Sequence, residues 1–287
     1  MYTRYEDGEL IEFGHYEKLA FDQLLERVTQ PRKWTAHKSR TNKKEYDWDL
    51  GTGWTEALRL ARQGWPEGRQ ALLEATGQAD RAWDYTGQQV EMDVAGAAPD
   101  IPTYLTNDPE CMYGIEEEAP EPVVRIAYAI GSAWHVTGSA LRNLGSGILS
   151  AAQGLEMAGY SVEITGWTVT ASHDDLDLEP EVYALECPIK EAGGLIDYDR
   201  AAFALTHPAM ARRIGFAWRE RTDPHFEQGN YGYSVDLTQL QPIEADIVIP
   251  PLSEIKRNGR CDSPEEGLQL VLGCSKTFQF PEGLFDI

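Results

Sequence analysis

The spacing of apolar residues changes character along this chain. Between Tyr16 and Val28, the residues Leu19, Leu24, Leu25 and Val28 recur at helical intervals, which predicts an amphipathic helix. From Trp54 to Gln63 the pattern repeats, with Leu58 and Ala61 sharing a face with Trp54 and Trp65. Gly64 is placed to end that helix, and Pro66 to begin another running to about Trp83, because proline has no N–H to lose in a first turn. The pair reads as a helical hairpin. Residues 93–122 hold Pro99, Pro102, Pro109, Pro120 and Pro122 with the acidic run Glu116–Glu118 and no sustained apolar period, the pattern of a linker or surface-wrapping segment.

Beyond Pro122 the period switches. Val123–Ile130 reads as a strand, Ser139–Met157 as a helix and Tyr160–Val169 as a second strand. Leu141, Leu144, Ile148, Leu155 and Ala158 keep near-helical spacing, Ser139 is placed to cap the start and Gly159 the end. That is one βαβ unit, whose strands are expected as buried parallel neighbours. Further strands are predicted at Val182–Ile189 and Ala245–Ile249, and helices at Asp199–Arg221 and Pro264–Leu272. Such alternation predicts an α/β fold with a mainly parallel, Rossmann-like sheet and helices on both faces. The expected organisation is a helical N-terminal part (1–92), a linker (93–122) and an α/β domain (123–287).

Composition adds limits. With 287 residues, 42% of them hydrophobic, the chain can bury a sizeable core. No run of about 18 apolar residues occurs, and the polar start Met1–Asp7 is unlike a secretory signal, so a soluble, cytoplasmic protein without membrane contact is expected. Cys111, Cys187, Cys261 and Cys274 lie far apart with no C-x-x-C pair, which favours buried or idle thiols over a disulfide or zinc role.

Ligands of open α/β sheets sit at the carboxyl ends of the strands, which directs attention to Gly131–Ser139 (GSAWHVTGS). It is neither a phosphate loop nor G-x-G-x-x-G. The layout of this βαβ unit resembles the von Willebrand factor A type of domain, in which an Asp-x-Ser-x-Ser loop holds a divalent cation. Gly131, Ser132 and Ala133 stand where that acidic ligand would be, so the resemblance implies a metal-free version. His173–Glu179 is acidic and could supply oxygen ligands to a hard cation, or be a solvated loop. Gly145 to Gly147 lies inside the predicted helix, where close packing against the sheet explains it. No catalytic motif, cofactor or metal site is predicted.

A formal net charge of −22 repels polyanions unless the basic residues gather. Between Arg32 and Lys44 they do: Arg32, Lys33, Lys38, Arg40, Lys43 and Lys44 stand with His37 and no carboxylate, and Trp34, Tyr46 and Trp48 lie in or beside the segment. A second segment holds Arg212, Arg213, Trp218, Arg219 and Arg221. Single-stranded nucleic acid needs cations for phosphates and aromatic faces for bases, and both segments supply both. The alternative is a charged loop, and a helix whose Phe216 is core while its arginines pair with carboxylates. The aromatic tail from Phe278 to Ile287 either recruits a partner or simply packs.

Gly53–Gly68 (GWTEALRLARQGWPEG) together with Leu155–Glu163 (LEMAGYSVE) resembles a family of tailed-phage proteins. The resemblance implies a family that includes the single-stranded DNA-binding cofactor of the phage-encoded RNA polymerase in N-four-like podoviruses. It therefore implies a non-catalytic, oligomeric protein of the host-cell cytoplasm that coats single-stranded DNA in viral transcription or replication. The competing expectations are a metal-free von Willebrand A-like protein–protein adaptor and a Mg²⁺-dependent phosphoryl-transfer enzyme using the acidic cluster.

Overall fold

The computed structural model describes residues 3–6, 9–12, 15–30, 40–42, 46–75, 92–93, 98–99, 104, 109, 112–113, 122–133, 135–171, 182–194, 196–222, 240–241, 243–275 and 278–280. Strands β1 (Thr3–Glu6), β2 (Glu9–Glu12) and β3 (His15–Lys18) precede helices α1 (Phe21–Thr29), α2 (Tyr46–Asp49), α3 (Trp54–Gln63) and α4 (Pro66–Ala75). Short strands β4 (Met92–Asp93), β5 (Ala98–Pro99) and β6 (Met112–Tyr113) follow. Next come β7 (Val123–Ala129), α5 (Gly138–Met157), β8 (Ser161–Ala171), β9 (Val182–Lys190) and α6 (Tyr198–Thr206). A π-helical stretch (Met210–Gly215) leads into α7 (Phe216–Thr222). The chain continues through β10 (Leu240–Gln241), β11 (Ile247–Ile249), α8 (Leu252–Ile255) and α9 (Pro264–Gly273).

The principal sheet has the order β11-β7-β8-β9-β3. Every neighbouring pair is parallel except β8 with β9. As the βαβ reading requires, β7 and β8 run side by side, with Ile126 opposite Ile164, and α5 makes the crossover. Alternation along β7 sends Val124, Ile126 and Tyr128 into the main core, where they meet Ile148, Leu149 and Leu155 of α5 and Phe203 of α6. The opposite face holds a smaller cluster of Ala127, Trp167, Val169 and Ala184, joined by Tyr16, Ile243 and Ala245. The fold is α/β, a mixed and mostly parallel sheet with helices packed around it, consistent with a Rossmann-like architecture.

The N-terminal segment is built differently from its prediction. Tyr16 to Lys18 belong to an edge strand, not to a helix, and the helix begins only at Phe21. Tertiary pairing overrides the local period: Tyr16 stacks on Trp167 with ring centroids 6.3 Å apart, and Lys18 pairs with Glu186 at 2.5 Å. Leu24, Leu25 and Val28 of α1 then enter the main core with Ala57, Leu60 and Ala61 of α3. Burying each such leucine or valine contributes about 1.5–3 kcal/mol, more than the helix propensity of these short segments can.

Residues 1–77 and 122–287 consequently form one compact unit, and residues 78–121 a second. The boundary expected near 122 coincides with the end of the second unit, whereas the one at 92 lies inside it and the N-terminal part is not separate, because β3 completes the sheet of the C-terminal part. The stretch read as a linker holds a three-stranded antiparallel sheet of order β4-β6-β5. Helix α3 keeps its predicted bounds. Gly64 ends it at φ 86°, where a Cβ would lie 2.4 Å from that of Asp199, so the left-handed turn and the close approach both require glycine.

Three local expectations are also corrected. Thr137, not Ser139, caps α5, its hydroxyl accepting from the Ala140 amide at 3.2 Å. Gly145 and Gly147 pack against neighbouring helices and not the sheet: a Cβ at Gly145 would sit 2.1 Å from the Leu205 carbonyl oxygen, and one at Gly147 would sit 2.2 Å from the Gly267 backbone. The single helix expected over Asp199–Arg221 is interrupted at His207 (φ −88°, ψ 120°). Pro208 is the cause, since a residue preceding proline is driven out of the α region.

Candidate functional site

The site-bearing end of the sheet is organised by a buried charge cluster. Asp49 is fully buried and pairs with Arg213 at 2.5 Å. Its other carboxylate oxygen accepts from the amides of Gly51 (2.9 Å) and Thr52 (3.2 Å), closing a turn in which Leu50 takes φ 54°. That turn seats Leu50 over Gly138, the first residue of α5. Arg212 lies over the ring of Trp48 at 5.1 Å and donates to the carbonyls of Trp48 and Val136. Burial pushes its guanidinium down to about 10, against the raising influence of Asp49, so it stays charged at neutral pH.

Beside this cluster, at the carboxyl ends of β7 and β11, lies a cleft of about 860 Å³. One wall is the loop after β7 and the first turns of α5, with His135, Thr137, Ser139 and Arg142. The other is the loop between α8 and α9, with Asn258, Arg260 and Asp262. Gly259 adopts φ +62°, and a Cβ there would lie 2.8 Å from Val136, so the loops meet at a contact that excludes a side chain. The Ser253 hydroxyl accepts from the Ala133 amide at 3.4 Å and the Ser253 amide donates to Ser132 at 3.2 Å. The side-chain amide of the buried Asn143 donates to the Cys261 carbonyl at 2.8 Å. Both walls are thus held by hydrogen bonds.

Two arginines against one aspartate line the cleft in a strongly acidic protein. Arg142 and Arg260 line it, and among the described residues neither guanidinium makes an ion pair. The first turn of α5 contains no acidic residue to offset the positive end of its dipole. Two fork-shaped guanidiniums beside a helix start are chemistry for a phosphate or carboxylate group. Among the described residues no group of three or more His, Cys, Asp or Glu gathers as a metal site.

The sequence-predicted site residues fare unequally. Arg32, Lys33, Trp34, His37, Lys38, Lys43 and Lys44, and the side chain of Tyr46, lie outside the described residues, as does the acidic cluster 173–179. Arg40 is half-buried, donating to the Val28 carbonyl and lying 5.4 Å over the ring of Trp54. The second basic segment is a correction. Arg212, Arg213 and Arg219 are 2–3% exposed and Trp218 is fully buried, so they cannot track phosphates or stack bases. Arg212 and Arg213 face carbonyls and a carboxylate of the fold, and Trp218 donates to Glu17 at 2.8 Å. Arg221 is half-buried and donates to the Gln30 carbonyl at 2.5 Å. Trp48 is committed beneath the two arginines.

Other candidates resolve simply. Phe278 packs edge-on to Tyr160 at 5.7 Å, which ties the described part of the tail to the core. Cys187 and Cys261 are buried free thiols, pushed up to about 12 chiefly by burial. No described helix is long and apolar enough to cross a membrane. Arg142, Arg260 and His135 were not among the predicted site residues. The carboxyl-end rule pointed to the loop of His135, whereas Arg260 lies in a loop that ordinary turn residues conceal.

The family model described as a domain of unknown function, DUF7192, matches residues 12–279. No curated protein and no solved structure matches the chain.

Proposed function

The chain belongs to the DUF7192 family, and we propose that it is a non-catalytic binding protein whose carboxyl-end cleft receives a phosphate-bearing ligand. The observation that carries this reading is the pair Arg142 and Arg260, which line one cleft without an ion-pair partner among the described residues while acids outnumber bases 47 to 25. A charge-assisted hydrogen bond contributes about 1.5–3 kcal/mol, so losing both arginines weakens phosphate binding by at least about 100-fold. Isothermal titration with inorganic pyrophosphate checks it, comparing the wild-type protein with R142A/R260A. An affinity unchanged in the double variant, or no binding by the wild type, removes the reading.

A second reading, single-stranded DNA binding in phage transcription or replication, is favoured by the six bases without a carboxylate between Arg32 and Lys44. With Arg40 engaged by the fold, the bases to test are Lys33, Lys38, Lys43 and Lys44. If they neutralise four phosphates, affinity for single strands falls with salt at a log–log slope of about −3, from about −0.7 per phosphate. Replacing all four by Ala flattens that slope for every sequence alike. A quadruple variant with wild-type slope and affinity in fluorescence-anisotropy titrations eliminates this reading.

A further inference from the structure

The phosphate-site reading leaves one charge in the cleft without a role, and the present inference rests on that reading. Asp262 lines the same cleft as Arg142 and Arg260, yet its carboxylate makes no ion pair or hydrogen bond among the described residues. Its neighbours fix the backbone that carries it. The Asp262 amide donates to Glu266 at 2.6 Å, the Ser263 hydroxyl caps α9 by accepting from the Glu266 amide at 3.2 Å, and Lys256, on which Asp262 acts electrostatically, is engaged by Glu266. The carboxylate itself is exposed at the cleft wall, and the lysine it acts on, Lys256, is already committed to Glu266.

An acceptor of this kind works against a bare polyanion. Negative charge beside the bound phosphate repels it, and desolvating an unpaired carboxylate is costly unless the ligand supplies donors. Vicinal hydroxyls supply two, and a carboxylate accepts two hydrogen bonds from them through its two oxygens. The cleft, at about 860 Å³, is far larger than a phosphate needs and falls in the size range of small-molecule sites, about 300–1,000 Å³. We infer that the cleft takes a ribonucleoside phosphate, its phosphates on Arg142 and Arg260 and its ribose diol on Asp262.

The test is isothermal titration of the full chain with adenosine 5′-diphosphate, its 2′,3′-dideoxy analogue and inorganic pyrophosphate, repeated on D262A. The Asp262 side chain is exposed and its backbone bond to Glu266 survives truncation, so D262A should melt close to the wild type. The wild type should prefer the ribonucleotide to the dideoxy analogue by about tenfold, from the lost charge-assisted hydrogen bonds. D262A should abolish that preference while binding pyrophosphate as well as the wild type or better. Equal binding of the two nucleotides by the wild type, or a preference that persists in D262A, overturns the inference and leaves the phosphate site standing if pyrophosphate still binds through the arginines. Failure of all three ligands to bind the wild type removes both.

Discussion

Replacing Asp49 by Ala is expected to destabilise the folded chain by about 3–5 kcal/mol, the range for removing one partner of a buried ion pair. The site explains the size. Asp49 is fully buried, Arg213 is 2% exposed, and the carboxylate also holds the Gly51 and Thr52 amides. Deleting it leaves the buried Arg213 guanidinium without its carboxylate and the Gly51 amide without its acceptor, while Thr52 N–H keeps only the Asp49 backbone carbonyl. Urea denaturation at neutral pH measures the loss. The double variant D49A/R213M should recover a good part of it, because removing both charges removes the uncompensated one. A loss below about 1 kcal/mol in D49A would show that Arg213 is neutralised elsewhere, and the charge cluster would lose its structural role.

Acidification should destabilise the protein through His207 before the carboxylates titrate. Burial pushes the imidazole from 6.5 down to about 4, with Glu56 acting weakly the other way. The geometry agrees. Nδ1 accepts from the Ala209 amide at 3.0 Å, so the single proton of the neutral ring sits on Nε2, 3.3 Å from the Thr52 hydroxyl. A second proton on Nδ1 would face an N–H. Because the folded value lies below the unfolded one, the neutral-ring stability is fully present above about pH 6.5. It is lost as the pH falls toward 4, by about 3 kcal/mol in all. His207→Asn keeps an acceptor for Ala209 and does not titrate. Its stability between pH 6.5 and 4 should fall less steeply than that of the wild type in parallel denaturation series. Identical slopes would mean that His207 is not the titrating group.

Much of the architecture was readable before any coordinates. The period-2 strands Val123–Ala129 and Ser161–Ala171, the helix between them and the bounds of α3 follow from local patterns, because a buried face imposes its repeat on the residues that cover it. Pro66, Gly64 and Gly159 mark helix ends through backbone chemistry that needs no partner. The direction of β9 and the place of β3 were not readable. Both depend on which strand edge is free when the chain returns, and no residue of His15–Lys18 states that it will pair with Tyr183–Glu186. The basic segments show the same limit. Clustered arginines have one composition whether they face solvent or a carboxylate, and only the packing that brings Asp49 to Arg213 and Trp48 to Arg212 decides between the two. The cleft is the converse case. Arg142 and Arg260 lie 118 positions apart and carry no motif; they line one cavity because β7 and β11 are parallel neighbours, so the segments that follow them, α5 and the α8–α9 loop, emerge at the same end of the sheet. Sequence determined the elements and the supply of charge, whereas tertiary contact decided which charges are consumed by the fold and which remain for a ligand.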